Sequence, residues 1–380
     1  MIHVHVRNRG SETTMSLETS TEQQMLRDSA VRWVAGDATQ RDAAARWQQM
    51  ADFGWLGITV PEAQGGLGQG LIDACVLAEA LGTGPVVDPW LPVVIQAAGL
   101  LAASGSTAAR DEWLAAIARG DKQLVPAVLE RGTDWRSARL ATGAQLHGEG
   151  WVLDGRKDLV AGGARADAFL VGARLHGSDE VGLFIVPRQT AGLTVTPLES
   201  VDGAGVCRLV LEGVKLEAGA RLSGAGWAQF ERSCDDALVV CCAESVGAMD
   251  VLLRTTAEYL KTRVQFGRAL SVNQALRHRM ADLSIACEEA RSMTLSAIHA
   301  LSDPQLSASL RARKAAGARA KVGLLARRVC EEAIQLHGGM GVTEELSVGL
   351  FLKRQLALDA MFGPAEWHLR RHAALRPLAA

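Results

Sequence analysis

Between Thr21 and Gly120 apolar residues recur at three- and four-residue intervals in alanine- and leucine-rich runs. That period predicts helices, broken by one loop at 60–68, Val60-Pro61-Glu62-Ala63-Gln64-Gly65-Gly66-Leu67-Gly68. Near Gln123 the period changes: short alternating runs at 151–153, 168–173, 181–186, 193–198 and 207–211 predict strands. Asp154-Gly155, directly after the first run, reads as a type I′ hairpin turn, because both central residues of that turn need positive φ. After Gly226 long helices return. Leu238, Cys242, Val246, Met249 and Leu253 form one buried stripe, and Val322, Leu325, Val329, Ala333 and Leu336 form another. The expected organisation is a loose extension over 1–20, a helical domain over 21–122, a β-domain over 123–222 and a helical bundle over 223–380. The fold class is therefore mainly α with a central β-domain.

Length and composition agree with this division. A chain of 380 residues exceeds one simple core and should form two or three units that share buried surface. With 48% apolar and 22% charged residues and a net charge of −2, nothing in the composition points to nucleic acid. The seven cysteines are odd in number, scattered and never spaced CxxC, which argues against a disulfide framework and against zinc, and suits a reducing cytoplasm. The longest apolar stretch, 91–103, is too short to span a bilayer, and residues 1–10 lack the apolar core of a signal peptide, so no membrane segment is expected.

Two stretches carry candidate chemistry. In Tyr259-Leu260-Lys261-Thr262-Arg263-Val264-Gln265-Phe266-Gly267, followed by Gln274, an arginine near a helix end precedes a glycine turn. Its forked, permanently charged donors suit a pyrophosphate, and they equally suit a helix C-terminus. In Gln335-Leu336-His337-Gly338-Gly339-Met340-Gly341, paired glycines let backbone amides approach a ligand, or simply cap the helix.

Taken together these residues resemble the acyl-CoA dehydrogenase family over nearly the whole chain. Gly54-Trp55-Leu56-Gly57, Val60-Pro61-Glu62 and Gly65-Gly66-Leu67-Gly68 resemble its first-domain signature. Residues 151–157 with Ala166-Asp167 resemble its β-domain. The resemblance implies three domains: N-terminal helical, middle β-barrel-like and a C-terminal four-helix bundle. It also implies FAD. Arg263, Gln265, Phe266 and Gln274 match the family's FAD-binding arginine, turn and glutamine; Gln335, Gly338, Gly339 and Gly341 match the loop that reaches a neighbouring subunit's FAD. Oligomers with itself or with a related subunit, an acyl-CoA substrate and an electron-transfer flavoprotein or similar acceptor follow from the same resemblance.

The departures bear on mechanism. Where the family places an aromatic and a hydroxyl residue beside the flavin ring, this chain has Leu159 and Ala161, and the upstream flavin loop is reduced to Ala127-Val128-Leu129-Glu130-Arg131-Gly132-Thr133-Asp134. In many members a glutamate removes the α-proton of the thioester while hydride leaves the β-carbon for the flavin. Its position here is Phe362, and the family's alternative base position is Ala237. Neither accepts a proton. Candidate replacements are Asp236, about 100° around the helix from Ala237, and Glu244, on the same face roughly 10 Å further along. Glu366, past the Pro364 turn, is a third candidate, and Asp235 is a further acid nearby. Among these Glu244, flanked by Cys241, Cys242, Ala243 and Val246, should be the most buried, with a raised pKa. His337 and Tyr259 are expected to serve packing.

The first functional expectation is FAD-dependent α,β-dehydrogenation of an acyl-CoA, with resemblance to the bacterial subgroup acting on bulky or steroid-derived thioesters. The alternative is a non-catalytic partner subunit of a heteromeric enzyme. A third is another flavin-dependent oxidation.

Overall fold

The computed structural model describes residues 20–36, 42–105, 107–343 and 345–376. Of the extension expected over 1–20, only Ser20 falls among them. It starts helix α1 (Thr21–Ala35) through a capping box: the Ser20 hydroxyl accepts from the Gln23 backbone amide at 3.2 Å, and the Gln23 side chain accepts from the Ser20 backbone amide at 3.1 Å. Helices α2 (Ala43–Asp52) and α3 (Leu71–Leu81) follow. A wholly buried π-helical run, Leu91–Ala97, continues into α4 (Ala98–Ala103), and α5 (Ala108–Ala118) closes the first unit. The apolar stretch at 91–103 is thus a core element. No helix among the described residues is long and apolar enough to cross a membrane.

The middle unit is a curled seven-stranded sheet made of β1 (Leu124–Ala127), β2 (Gly143–His147), β3 (Gly150–Ala161), β4 (Ala168–Leu175), β5 (Val181–Pro187), β6 (Leu193–Leu198) and β7 (Val206–Leu216). Its order is β1-β4-β2-β3-β7-β6, with β5 antiparallel to β4. One turn assignment is corrected. Asp154-Gly155 lies inside β3, and the hairpin turn is Gly148-Glu149, since His147 pairs with Gly150. Gly155 marks a register shift against β7 at φ +153°, and a Cβ there would stand 2.4 Å from Thr142 Oγ1. Glycine is needed at that site for a bulge and a close approach, which the dipeptide alone does not distinguish from a turn.

The last unit begins with the 36-residue helix α6 (Trp227–Thr262). A short hairpin, β8 (Val264–Gln265) and β9 (Arg268–Ala269), leads into α7 (Gln274–Ser302), α8 (Ala308–His337), α9 (Val348–Phe362) and α10 (Ala365–Ala374). Both predicted stripes face the core, with Leu253 half-buried at its edge. Helices α3 and α6 touch backbone to backbone: a Cβ on Gly247 would lie 1.9 Å from the Glu79 carbonyl oxygen. The core is therefore continuous from the first unit into the bundle.

Candidate functional site

One cleft forms where the start of α6, the end of α9, strand β3 and the segment after β1 meet. Leu159 and Ala161, which the resemblance puts beside a flavin ring, and Phe362, which it puts at the base position, all line it. Strand β3 delivers the first two through a second register shift, between Lys157 and Val160. Leu159 is forced to φ +50° there. Phe362 is the last residue of α9 and is followed by Gly363 at φ +95°. Its carbonyl accepts from His368 Nε2 at 2.8 Å, and burial first, then nearby arginines, hold that imidazole down to about 2, hence neutral.

The cleft lacks a free carboxylate among its described lining residues. Asp158 lines it with Oδ1 2.5 Å from Arg208 Nε. Asp235 is clamped by Arg136 at 2.5 Å and by Arg371 at 2.8 and 3.3 Å. Asp236 is on the other side of α6. Phe230 and Cys234 face the cleft, and a residue two positions past Cys234 points about 200° away from it. Burial pushes the Asp236 carboxyl up to about 6, and its nearest charges are Arg232, Asp235 and Arg311. Burial likewise pushes the Cys234 thiol up to about 11, so it stays protonated at neutral pH. Ala237 is buried, and Glu366 is exposed at the start of α10.

The expectation that Glu244 is the most buried of these acids is corrected: Asp235 is buried, whereas Glu244 is half-buried and paired. Its carboxylate takes Arg354 Nε at 2.7 Å and Nη2 at 3.3 Å, and Arg354 also holds Asp202 at 2.9 Å. Burial alone would lower the pKa of Arg354, yet these two carboxylates hold it above its usual value. Arg354 comes from α9, 110 residues downstream, so the local flanks of Glu244 could not reveal it. The group borders a small separate pocket with Asp88 and Trp90 rather than the cleft.

The second set of positions gathers at the far end of α6. Arg263 caps that helix; its side chain is exposed and has no hydrogen bond or ion pair among the described residues. Gln265, Gln274 and Gln335 are also exposed, and Phe266 stands at the hairpin tip fully exposed (101%) at φ +52°. Gly338 and Gly339 have open space on the side-chain side, whereas Gly341 packs against the Ile334 carbonyl. Leu159 and Phe266 are the only non-glycine residues at positive φ among the described residues. Both are exposed apolar side chains at positions that the resemblance implies for FAD, and backbone strain tends to gather at ligand sites.

From Cys234 at the cleft to Arg263 is 29 residues of helix, or about 44 Å at ~1.5 Å per residue. If both ends serve FAD as the resemblance implies, they would serve different FAD molecules, the outer residues acting on the FAD of a neighbour. For the FAD implied by the resemblance the outer end fits: an unpartnered guanidinium, a displayed aromatic ring and open glycines. The cleft does not fit a flavin ring with the side chains present: Trp135 and Arg136 stand among its walls, about 70 Å³ of room is left, and Leu159 and Ala161 offer no side-chain hydrogen bond.

Sequence reasoning missed Trp135, Arg136 and His368, whose partners lie on other elements. The degraded loop around Glu130 was the one available signal.

Comparison with known proteins decides the family. Profiles of the acyl-CoA dehydrogenase N-terminal, middle and C-terminal domains match residues 20–121, 129–214 and 224–375. The chain belongs to the acyl-CoA dehydrogenase family. FadE27 of Mycobacterium tuberculosis, an acyl-CoA dehydrogenase, is 30% identical over 87% of this chain and 88% of its own. The crystal structure of the ChsE4-ChsE5 complex from Mycobacterium tuberculosis superposes with a TM-score of 0.87 at 27% identity, covering 96% of this chain and all of the other. A variant of the Tcur3481-Tcur3483 steroid ACAD does so with a TM-score of 0.82 at 29% identity, covering 93% and 97%. The expected three-part acyl-CoA dehydrogenase fold is borne out, and with it FAD-dependent acyl-CoA dehydrogenation as the family's chemistry.

Proposed function

We propose that this chain is the subunit without the base in a heteromeric acyl-CoA dehydrogenase acting on a bulky, steroid-derived acyl-CoA. One observation carries the reading: Phe362, where the resemblance puts the base, lines the cleft, and the carboxylates nearby are paired with arginine or do not line it. In such an assembly FAD, where bound, would supply the hydride acceptor, and a glutamate of the related subunit would take the α-proton. This chain contributes Arg263, Gln265, Phe266 and Gln274 to hold the phosphate and adenine end, with Gln335, Gly338, Gly339 and Gly341 closing over it. The pairing of two different chains in the ChsE4-ChsE5 complex and the steroid ACAD supports the reading.

The outer end supports assembly through the bundle as a dimer or tetramer. It exposes Phe266, Val264 and Val342 (56% and 77% for the last two), which a lone chain would leave in water. Electrons would pass to an electron-transfer flavoprotein or a similar acceptor. A cytoplasmic setting accords with seven free, buried cysteines.

The test is anaerobic flavin bleaching by a panel of acyl-CoAs that includes steroid-derived thioesters. Purified alone, the chain should give no bleaching. Co-expressed with a related chain that carries the glutamate and is encoded beside it, the complex should bleach. Bleaching by the chain alone would restore the first expectation, a dehydrogenase active by itself.

A further inference from the structure

The segment between β1 and β2 is tied off at its neck. The Glu130 carboxylate accepts from the backbone amides of Ala141 at 2.6 Å and Thr142 at 3.0 Å, and from Lys157 Nζ at 2.6 Å. Lys157 is wholly buried, which pushes its amine down to about 8, while Glu130 supports its charge. Burial would raise the Glu130 carboxyl, but Lys157 and the two amides hold it below its ordinary range. Residues 131–140 are therefore a compact loop with pinned ends, of the kind that packs as a unit.

The tip of this loop is fastened to the bundle. The Trp367 indole N–H donates to Asp134 Oδ1. The Trp135 indole N–H donates to the Ala360 carbonyl at 3.4 Å, and the two indole rings lie 6.4 Å apart. Arg136 Nη1 reaches Asp235 at 2.5 Å, and Arg371 grips the same carboxylate. Fastened in this way, Trp135 and Arg136 become walls of the cleft beside Phe362 and Leu159, and the room left is about 70 Å³.

We infer that residues 131–140 are a plug, which fills this chain's own cleft with Trp135 and Arg136 and denies it to a flavin ring. The outer motifs remain exposed and serviceable. Their service to a neighbour rests on the partner-subunit reading; the plug is a property of the single chain.

Lumiflavin tests the plug, because it carries the tricyclic ring without ribityl or phosphate groups and gains nothing from Arg263 or the glycine loop. Wild-type protein titrated with lumiflavin to its solubility limit should show no saturable change in ligand or tryptophan fluorescence. The Trp135→Gly/Arg136→Gly variant, which keeps the Glu130–Lys157 neck, should bind it saturably and at least about tenfold more tightly. Saturable binding by wild type overturns the plug, and so does a folded variant that gains nothing. If circular dichroism shows the double variant misfolded, Trp135→Ala takes its place, and the wild-type titration still decides. Lumiflavin binding by wild type without bleaching by acyl-CoA sinks the plug and leaves the partner-subunit reading standing. Bleaching by the chain alone sinks that reading.

Discussion

The ring of Tyr259 lies 4.4 Å from that of His337, tilted by 30°, and its hydroxyl donates to the His337 carbonyl at 3.2 Å. The chain's only tyrosine thereby ties the end of α6 to the end of α8, the two places from which the Arg263 and Gln335 motifs emerge. The His337 ring is fixed in turn through Nδ1 to the Ala333 carbonyl at 2.8 Å. Tyr259→Phe keeps the ring contact and removes one neutral hydrogen bond, so it should cost roughly 0.5–1.5 kcal/mol in chemical unfolding. Tyr259→Ala, which loses the ring as well, should cost clearly more. Equal effects would mean that the ring contact adds nothing.

Arg263→Ala should separate binding from folding. The guanidinium has no partner among the described residues, so thermal unfolding of the flavin-free chain should move by less than about 0.5 kcal/mol. In the assembled enzyme one charge-assisted bond to phosphate, roughly 1.5–3 kcal/mol, should be lost, read as the flavin-to-protein absorbance ratio after gel filtration. Undiminished flavin content would remove Arg263 from the site.

Glu244→Gln should act on stability rather than on chemistry. It leaves Arg354, whose side chain is 9% exposed, with Asp202 as its one remaining carboxylate. Breaking such a buried pair costs roughly 3–5 kcal/mol when no other partner exists, and Asp202 should hold the loss toward about 3. Denaturant unfolding measures it. A variant of unchanged stability that abolishes bleaching in the assembled enzyme would return Glu244 to the role of base.

Asp236→Asn should stabilise the protein, and only above acid pH. Burial raises the folded-state pKa to about 6 from an unfolded value near ~3.9. The folded chain therefore holds the proton more tightly, and wild-type stability falls as pH rises from about 4 through about 6. The variant has no such loss, so its advantage should reach on the order of 2 kcal/mol at pH ~8 and vanish near pH ~4. Unfolding curves at the two pH values decide the matter; an advantage independent of pH would show that ionisation of Asp236 is not its cause.

The order of helical, β and helical units could be read from the chain alone, because a period of 3.6 or 2 is written locally in the apolar positions. The family could be read in the same way, through residues such as Arg263, Gln265, Phe266 and Gly338 whose spacing is fixed along one stretch of chain. That the position the resemblance gives to the base holds Phe362 was legible for the same reason. What surrounds those positions depended on the folded chain. Asp154-Gly155 became a bulge because Thr142 crowds Gly155 from another strand. Glu244 became half of an ion pair because α9 brings Arg354 to it, and Asp235 was neutralised by arginines from a loop and from α10. The closing of the cleft likewise depends on Trp135 meeting Ala360 across 225 residues. Charge pairing and free volume are set by contacts distant in sequence, and a local pattern carries no record of which partner arrives.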